Sequence, residues 1–365
     1  MSKLTKAARP VILLAGSGAS AAIPIATLAV AAQTMTPADQ GMVALSLSVS
    51  AYVAQLTGAA LIESRLAAAQ HEIRLPFWLF PVAAIGAAII VLGSSASLSR
   101  ALGLLLLYPV LELTRVVCVV ANQARMEAYA ASTVLSAAAT SLLLAHLGHR
   151  QSAWAVLAIG GFAAVLLRRS LLTRDSVQPA PARVAAPLIA ETAVTGIVQP
   201  ILVVAISSVL GPLAAVGFRA LTSLGGLMSP ALGFLRLRLL SHAASRADRI
   251  VSLSLLGVFG TAVVIAGQAP IMFTLFGDAW TYSSHLGVAL LVCWRLIIAI
   301  STFPFAALRR AGRTVTVLGV RAVSSVISLV LALGGAHWGG ITGAIGGLLI
   351  AEAISLGIYQ WKAHR

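Results

Sequence analysis

A succession of apolar runs, most close to 20 residues long and each followed by a short polar connection, is the feature that most constrains this chain. Twelve can be counted, at about Val11–Ala32, Gln40–Ile62, Pro76–Ser94, Ala101–Ala121, Ser132–Leu147, Ala153–Leu167, Pro187–Ser208, Leu213–Leu235, Ile250–Ala266, Leu286–Ala307, Val315–Ala336 and Ile341–Trp361. The fifth and sixth are short. About 20 residues of helix cross a hydrocarbon layer, and a backbone inside it must satisfy its own hydrogen bonds. The runs are continuous rather than alternating, which excludes a β-barrel. Composition agrees: 59% of residues are hydrophobic and 10% charged, against roughly 25% charged in a soluble domain. The chain is therefore expected to be an all-α, polytopic membrane protein with 12 transmembrane helices. Cys118 and Cys293 both fall inside runs, so neither a disulfide framework nor a zinc cluster is available.

The second constraint is charge. A net +15 would suggest nucleic acid in a soluble protein, but here the basic residues lie between the runs, so no nucleic-acid partner is expected. Counted by connection they alternate. Nineteen fall on the side of the termini and the even connections: Lys3, Lys6, Arg9, Arg65, Arg74, Arg125, Arg168, Arg169, Arg174, Arg183, Arg236, Arg238, Arg246, Arg249, Arg309, Arg310, Arg313, Lys362 and Arg365. The odd connections hold Arg100 and Arg150 alone. Positive charge stays cytoplasmic, which predicts both termini inside. The first run follows three basic residues like a signal peptide, but its length and Pro24 favour a retained span.

The longest polar stretch, with Pro179 and Pro181, separates six runs from six. This divides the chain into an N-lobe over 1–167, a cytoplasmic linker over 168–186 and a C-lobe over 187–365. The halves resemble each other at an offset of 176 residues, matching Pro24 to Pro200, Gly41 to Gly217, Ala44 to Ala220, Leu45 to Leu221 and Leu56 to Leu232. An even number of helices per half makes this a parallel repeat, a geometry suited to alternating access. Pro24 and Pro200 would kink the first and seventh helices as matched hinges.

Polar residues within spans should face protein or water. Ser17, Ser20, Pro24 and Thr27 share one face of the first helix, and Ser48, Tyr52 and Gln55 one face of the second. The seventh carries Glu191, Thr195 and Gln199, and the eighth Arg219, Thr222, Gly226 and Ser229. Small polar residues also serve as glue between helices, but four stripes in matched positions point to a hydrated cleft. Charge in a span costs about 2.5–3.5 kcal/mol on insertion scales, so each instance needs a reason. Arg219, Arg295 and Glu191 are assigned to the substrate cleft with Gln199, Tyr52, Gln55, Ser17, Ser20 and Thr222. Glu112 and Arg115, three residues apart, form either an ion site or a structural pair. Arg321 is read as snorkelling, and Glu352 is the only acid in the last helix. Guanidinium groups suit an anionic substrate such as a diphosphate.

The run Met35-Thr36-Pro37-Ala38-Asp39-Gln40-Gly41-Met42-Val43-Ala44-Leu45, followed by a polar-faced helix ending Glu63-Ser64-Arg65, resembles the opening of polysaccharide-biosynthesis flippases of the multidrug/oligosaccharidyl-lipid/polysaccharide (MOP) exporter superfamily. Leu210-Gly211-Pro212-Leu213-Ala214-Ala215-Val216-Gly217-Phe218 is similar to their second-half counterpart. Phe276-Gly277-Asp278-Ala279-Trp280 resembles their outer turn before the tenth helix, and Ala307-Leu308-Arg309-Arg310-Ala311-Gly312-Arg313 the basic turn after it. The resemblance implies two six-helix lobes forming a V whose cleft is lined by the first, second, seventh and eighth helices. It also implies a lipid-linked saccharide, of the polyprenyl-diphosphate kind, flipped from inner to outer leaflet of a bacterial inner membrane beside polysaccharide polymerase and export machinery. Two departures stand out: the fifth and sixth runs are clipped, and the first helix lacks the arginine that some lipid-diphosphate flippases place there.

A second reading is a cation-coupled, MATE-like small-molecule exporter of the same fold, with Glu191 or Glu112 as ion site. A third is a membrane saccharide polymerase or ligase, for which the longest external loop offers only Asp278, Tyr282 and His285. No Gly-rich loop leads into Lys-Ser/Thr, and His71/Glu72 and His146/His149 lack metal-site spacing, so neither ATPase chemistry nor any cofactor or metal is expected.

Overall fold

A computed structural model describes residues 22–68, 70, 73–93, 97–175, 178–229, 231–233, 235 and 246–364, with 13, 16, 18 and 19. The expected site residues Ser17 and Ser20, the pair His71/Glu72, and Arg236 and Arg238 lie outside the described residues. The chain is almost wholly helical and divides into two compact units, Met1–Gly196 and Ile197–Arg365. Among the described residues seven helices are long and apolar enough to cross a membrane, and four shorter apolar helices, 22–34, 79–92, 212–228 and 253–268, accompany them.

The first unit contains α1 (Ala22–Thr34), α2 (Pro37–Gly58), α3 (Leu79–Leu92), α4 (Ser97–Val120), α5 (Ala124–His146), α6 (Arg150–Leu167) and α7 (Ala182–Gly196). Helix α2 starts as its sequence dictates. Thr36 is an extended N-cap whose hydroxyl accepts from the Asp39 amide, and Pro37 occupies the first turn, where no N–H is needed. Beyond Gly58 it continues through a π-helical turn, Ala59–Glu63, into Ser64–Ala67. Helices α3 and α4 pack closely because Gly86 and Gly103 face each other's backbones; a Cβ on Gly86 would lie 2.8 Å from the Gly103 carbonyl oxygen. Helix α7 packs on α2 and its π turn.

A pair of two-residue parallel strands, β1 (Leu75–Pro76) and β2 (Leu172–Thr173), ties the connection after α2 to the segment after α6. Phe77 donates from its amide to the Thr173 carbonyl at 2.9 Å, and the Arg174 guanidinium lies 5.0 Å from the Phe77 ring. The start of the expected linker is thus part of the folded unit.

The second unit contains α8 (Val198–Leu210), α9 (Pro212–Gly225), α10 (Arg246–Gln268), the short α11 (Ile271–Phe276) and α12 (Asp278–Thr281), α13 (His285–Arg310) and α14 (Thr314–His364). Helix α9 begins like α2, with Pro212 in the first turn after Gly211, whose φ of 94° favours glycine. The repeat positions Gly41 and Gly217 therefore each lie early in a helix that a proline, Pro37 or Pro212, opens. Helix α14 is two helices joined at Gly339 and Gly340 (φ 59°, ψ −146°). Its arms fold back on each other: a Cβ on Gly335 would strike the Gly343 carbonyl, one on Gly347 the Leu331 carbonyl, and Ser355 donates to the Ser324 hydroxyl at 2.7 Å. The Gly-rich stretch is thus close helix packing, as its composition suggests.

Two boundaries differ from the apolar runs. Helix α5 is 23 residues long rather than a clipped run from Ser132, because Arg125 and Glu127 lie inside its first turn. Helix α7 starts at Ala182, so Arg183 belongs to a helix rather than to the linker. In both cases polar residues cut the run short without ending the helix.

Candidate functional site

In the first unit, Tyr52 and Gln55 of α2 meet α7. A Cβ on Gly196 would lie 2.7 Å from Tyr52 Cδ2 and 3.0 Å from Gln55 Oε1, so only glycine lets the two helices come so close. Glu191, one and a half turns earlier on α7, is 7% exposed. Tyr52, Gln55 and Glu191 therefore belong to one helix pair of one unit. Ser48 and Thr27 do not present hydroxyls outward: both are buried, and they donate to the carbonyls of Ala44 at 2.9 Å and Ile23 at 2.8 Å. They act as internal packing groups.

Glu112 and Arg115 form an ion pair along α4, each partly exposed. Sequence reading did not find a second pair. Glu127, fully buried at the start of α5, accepts at Oε2 from Nε (3.1 Å) and Nη2 (2.8 Å) of Arg168, which is 1% exposed. The charge alternation places Arg168 among the loop charges. A signal existed for Glu127, which shares a face with the buried Ala130, Ala131 and Val134 at helical spacing. Nothing local marks Arg168, 41 residues away.

At the other end of this unit, Arg100 (5% exposed) lies 5.2 Å from the Trp154 ring and donates to Gln151 at 3.3 Å, while Trp154 Nε1 donates to Thr34 at 3.1 Å. An apolar cavity beside Trp154 is lined by Ile23, Thr27, Leu104, Tyr108 and Gly161.

The second unit holds the cationic part. Arg219 of α9 is 8% exposed, and Thr222 is turned to the Arg219 carbonyl at 3.1 Å. Arg295 of α13 is half-buried against the face of Trp294, 4.7 Å from its centroid. Gly225 leaves room for it, since a Cβ there would lie 3.2 Å from Arg295 Nε. That Nε makes no hydrogen bond among the described residues. Arg295 feels both the repulsion of Arg219 and the attraction of Glu352. Glu352 in turn accepts from the Ser301 hydroxyl at 2.6 Å. Gln199 of α8 adds a buried Oε1 with no hydrogen-bond partner among the described residues.

Pro200 sits three residues after the break between α7 and α8. It has no N–H to give the Gly196 carbonyl, and the helix is interrupted at Ile197. Pro24 lies buried within α1. No group of three or more His, Cys, Asp or Glu positioned for a metal occurs among the described residues.

This arrangement of helices is a known transporter fold. An inward-facing multidrug resistance MATE family transporter of the MOP superfamily matches at a TM-score of 0.50 and 12% identity, over 98% of this chain and 94% of that one. A eukaryotic MATE transporter, AtDTX14, matches at 0.51 and 13%, over 99% and 94%. An outward-facing multidrug MATE transporter matches at 0.50 and 13%, over 97% and 93%. No family model matches the chain, and no curated protein matches it in sequence. The likeness covers nearly the whole chain and establishes a MATE-like, multi-pass membrane fold. Its solved neighbours are transporters, not enzymes.

Proposed function

We propose that this chain is a MATE-like, cation-coupled exporter of small amphipathic molecules that works by alternating access, with twelve membrane crossings and both termini cytoplasmic. The observation that carries this reading is the fold, shared along almost its whole length with multidrug transporters. It supports this reading better than the flippase suggested by the turn motifs.

In this reading Arg219 and Arg295, with Thr222 and Gln199, contact an anionic group of the substrate. Glu191 serves as the ion site. Glu112 is the weaker candidate because Arg115 already occupies its carboxylate. Pro24 and Pro200 act as hinges.

Proteoliposomes loaded with an anionic fluorescent dye or with cationic ethidium, under an imposed H⁺ or Na⁺ gradient, test this. Gradient-dependent efflux is expected, favouring the anionic probe and falling at least tenfold in Arg295→Gln. Movement of neither probe would sink the exporter reading.

The arginine pair also favours a second reading, transfer of a polyprenyl-diphosphate-linked saccharide between leaflets, since a guanidinium fork suits diphosphate oxygens. Protected transfer of a fluorescent lipid-linked saccharide, without gradient-dependent dye efflux, would select it.

A further inference from the structure

Arg295 of α13 and Glu352 of α14 stand in a relation that the transport reading uses only in part. Arg295 makes neither a hydrogen bond nor an ion pair among the described residues. It is nevertheless held in place. Its guanidinium carbon lies 4.7 Å from the centroid of Trp294, which is itself 8% exposed, and Gly225 leaves the space that its Nε fills. An aromatic face attracts a cation but carries no net charge. Arg219, by contrast, is already engaged in a contact of its own.

Glu352 is the only acid on α8, α9, α13 and α14, four helices that pack on one another. The Ser301 hydroxyl donates to its Oε1 at 2.6 Å, the short separation of a hydroxyl on a charged acceptor. Ser301 is 3% exposed, so the carboxylate is fixed rather than mobile. It follows Arg295 by six residues on α13, which places the carboxylate about 9 Å further along the helix axis. From there Glu352 attracts Arg295 without forming an ion pair. The contrast with the first unit is direct. There Glu112 closes on Arg115, and Glu127 on Arg168. Here Ser301 holds the acid and Trp294 holds the base, and the two stay apart.

A held but unbonded guanidinium takes an oxyanion in its fork. A fixed carboxylate about two turns away repels any further negative charge on the same ligand, and such repulsion is strong where water is scarce. We propose that Glu352 is a specificity-determining residue, restricting the ligand of Arg295 to one negative charge: an amphipathic monoanion of the sulfonate or carboxylate kind. By opposing the hold of Arg295 it also keeps binding weak enough for release, which passage through a membrane site requires. This role of Glu352 rests on the reading of Arg295 as a substrate contact, and it weighs against a diphosphate at this site. A fixed cross-helix bond to Ser301 could equally be made by glutamine, so the charge is what the carboxylate adds.

The full chain, purified in detergent, would be titrated calorimetrically with naphthalenesulfonate and with naphthalenedisulfonate at matched ionic strength. The two share an aromatic body and differ by one charge. The native protein is expected to bind the monosulfonate at least tenfold more tightly than the disulfonate. Glu352→Gln keeps the side chain's shape and its bond to Ser301, and should tighten the disulfonate at least fivefold, shrinking that preference. Ser301→Ala, which unfixes the carboxylate, should shrink it in part. Asp278→Asn, which removes an exposed acid of the same unit, should leave it unchanged. A preference unmoved by Glu352→Gln, or a native protein that prefers the disulfonate, overturns the proposal. Weakening of both ligands together in Glu352→Gln also overturns it, because the residue would then be structural. Arg295→Gln should abolish binding of both. If it binds the monosulfonate as the native protein does, the reading of Arg295 as a substrate contact fails and Glu352 loses its role with it. If Glu352→Gln is not monodisperse, the preference measured in Ser301→Ala decides.

Discussion

At the scale of residues, the Glu127–Arg168 pair shows why buried charge is both costly and binding. Removing either partner leaves the other desolvated and unpaired, which typically costs about 3–5 kcal/mol, whereas replacing both with apolar side chains is often neutral. Here the geometry is incomplete, since Glu127 Oε1 and Arg168 Nη1 have no hydrogen-bond partner among the described residues. We expect Glu127→Ala to destabilise the protein by about 3–5 kcal/mol in denaturant titrations in detergent, and Glu127→Leu with Arg168→Leu to recover most of that loss. A double variant as unstable as the single one would show that the pair is more than mutual neutralisation. Glu127 was legible in principle from its apolar face. Arg168 was not, because a basic residue at the start of a polar linker looks the same in sequence whether it is solvated or folded back.

At the scale of elements, the apolar runs located the helices but misplaced ends where polar residues lie in a first turn, as at the buried Glu127 and the exposed Arg183. The hairpin of α14 was fully legible. Gly339-Gly340 separates its arms, and Gly335, Gly343 and Gly347 recur where backbones touch. The polar stripes were legible only in part, because a serine or threonine bonded to its own helix reads like one that faces water; Ser48 and Thr27 are such cases.

The break at Ile197 is where the proposed hinge can be tested. An interior proline costs a helix about 3 kcal/mol, and the proposed hinge role of Pro200 gives that cost a use. Pro200→Ala would restore an N–H for the Gly196 carbonyl. The expected outcome is a raised melting temperature together with gradient-driven efflux slowed at least fivefold. Unchanged efflux would remove Pro200 from the hinge role. A companion substitution, Gly343→Leu, should instead destabilise the α14 hairpin and lower the melting temperature, because the approach to Gly335 leaves no space for a side chain.

At the scale of the whole molecule, sequence and fold inform on different things. The turn motifs and the repeat led to the superfamily, and the MATE-like fold agrees with that level. They do not separate the subfamilies, because most of the motifs quoted lie at a helix start or in a tight turn, where backbone geometry rather than substrate dictates the residues. Gly277 (φ 52°) and Gly312 (φ 72°) are examples. Orientation in the bilayer is the converse case, since a helical fold alone does not say which end faces the cytoplasm, whereas charge asymmetry does. Burial of Arg65 and Arg168 on the basic side weakens that asymmetry little, because Arg100 on the sparse side is also buried. In a Cys118→Ser, Cys293→Ser background, single cysteines at His149 and Tyr282 are therefore expected to react with a membrane-impermeant maleimide in intact cells. Cysteines at Asp175 and Ala311 should react only after permeabilisation. Labelling of Asp175 and His149 from the same side would break the alternation, and with it the twelve-span topology on which the proposed alternating access depends.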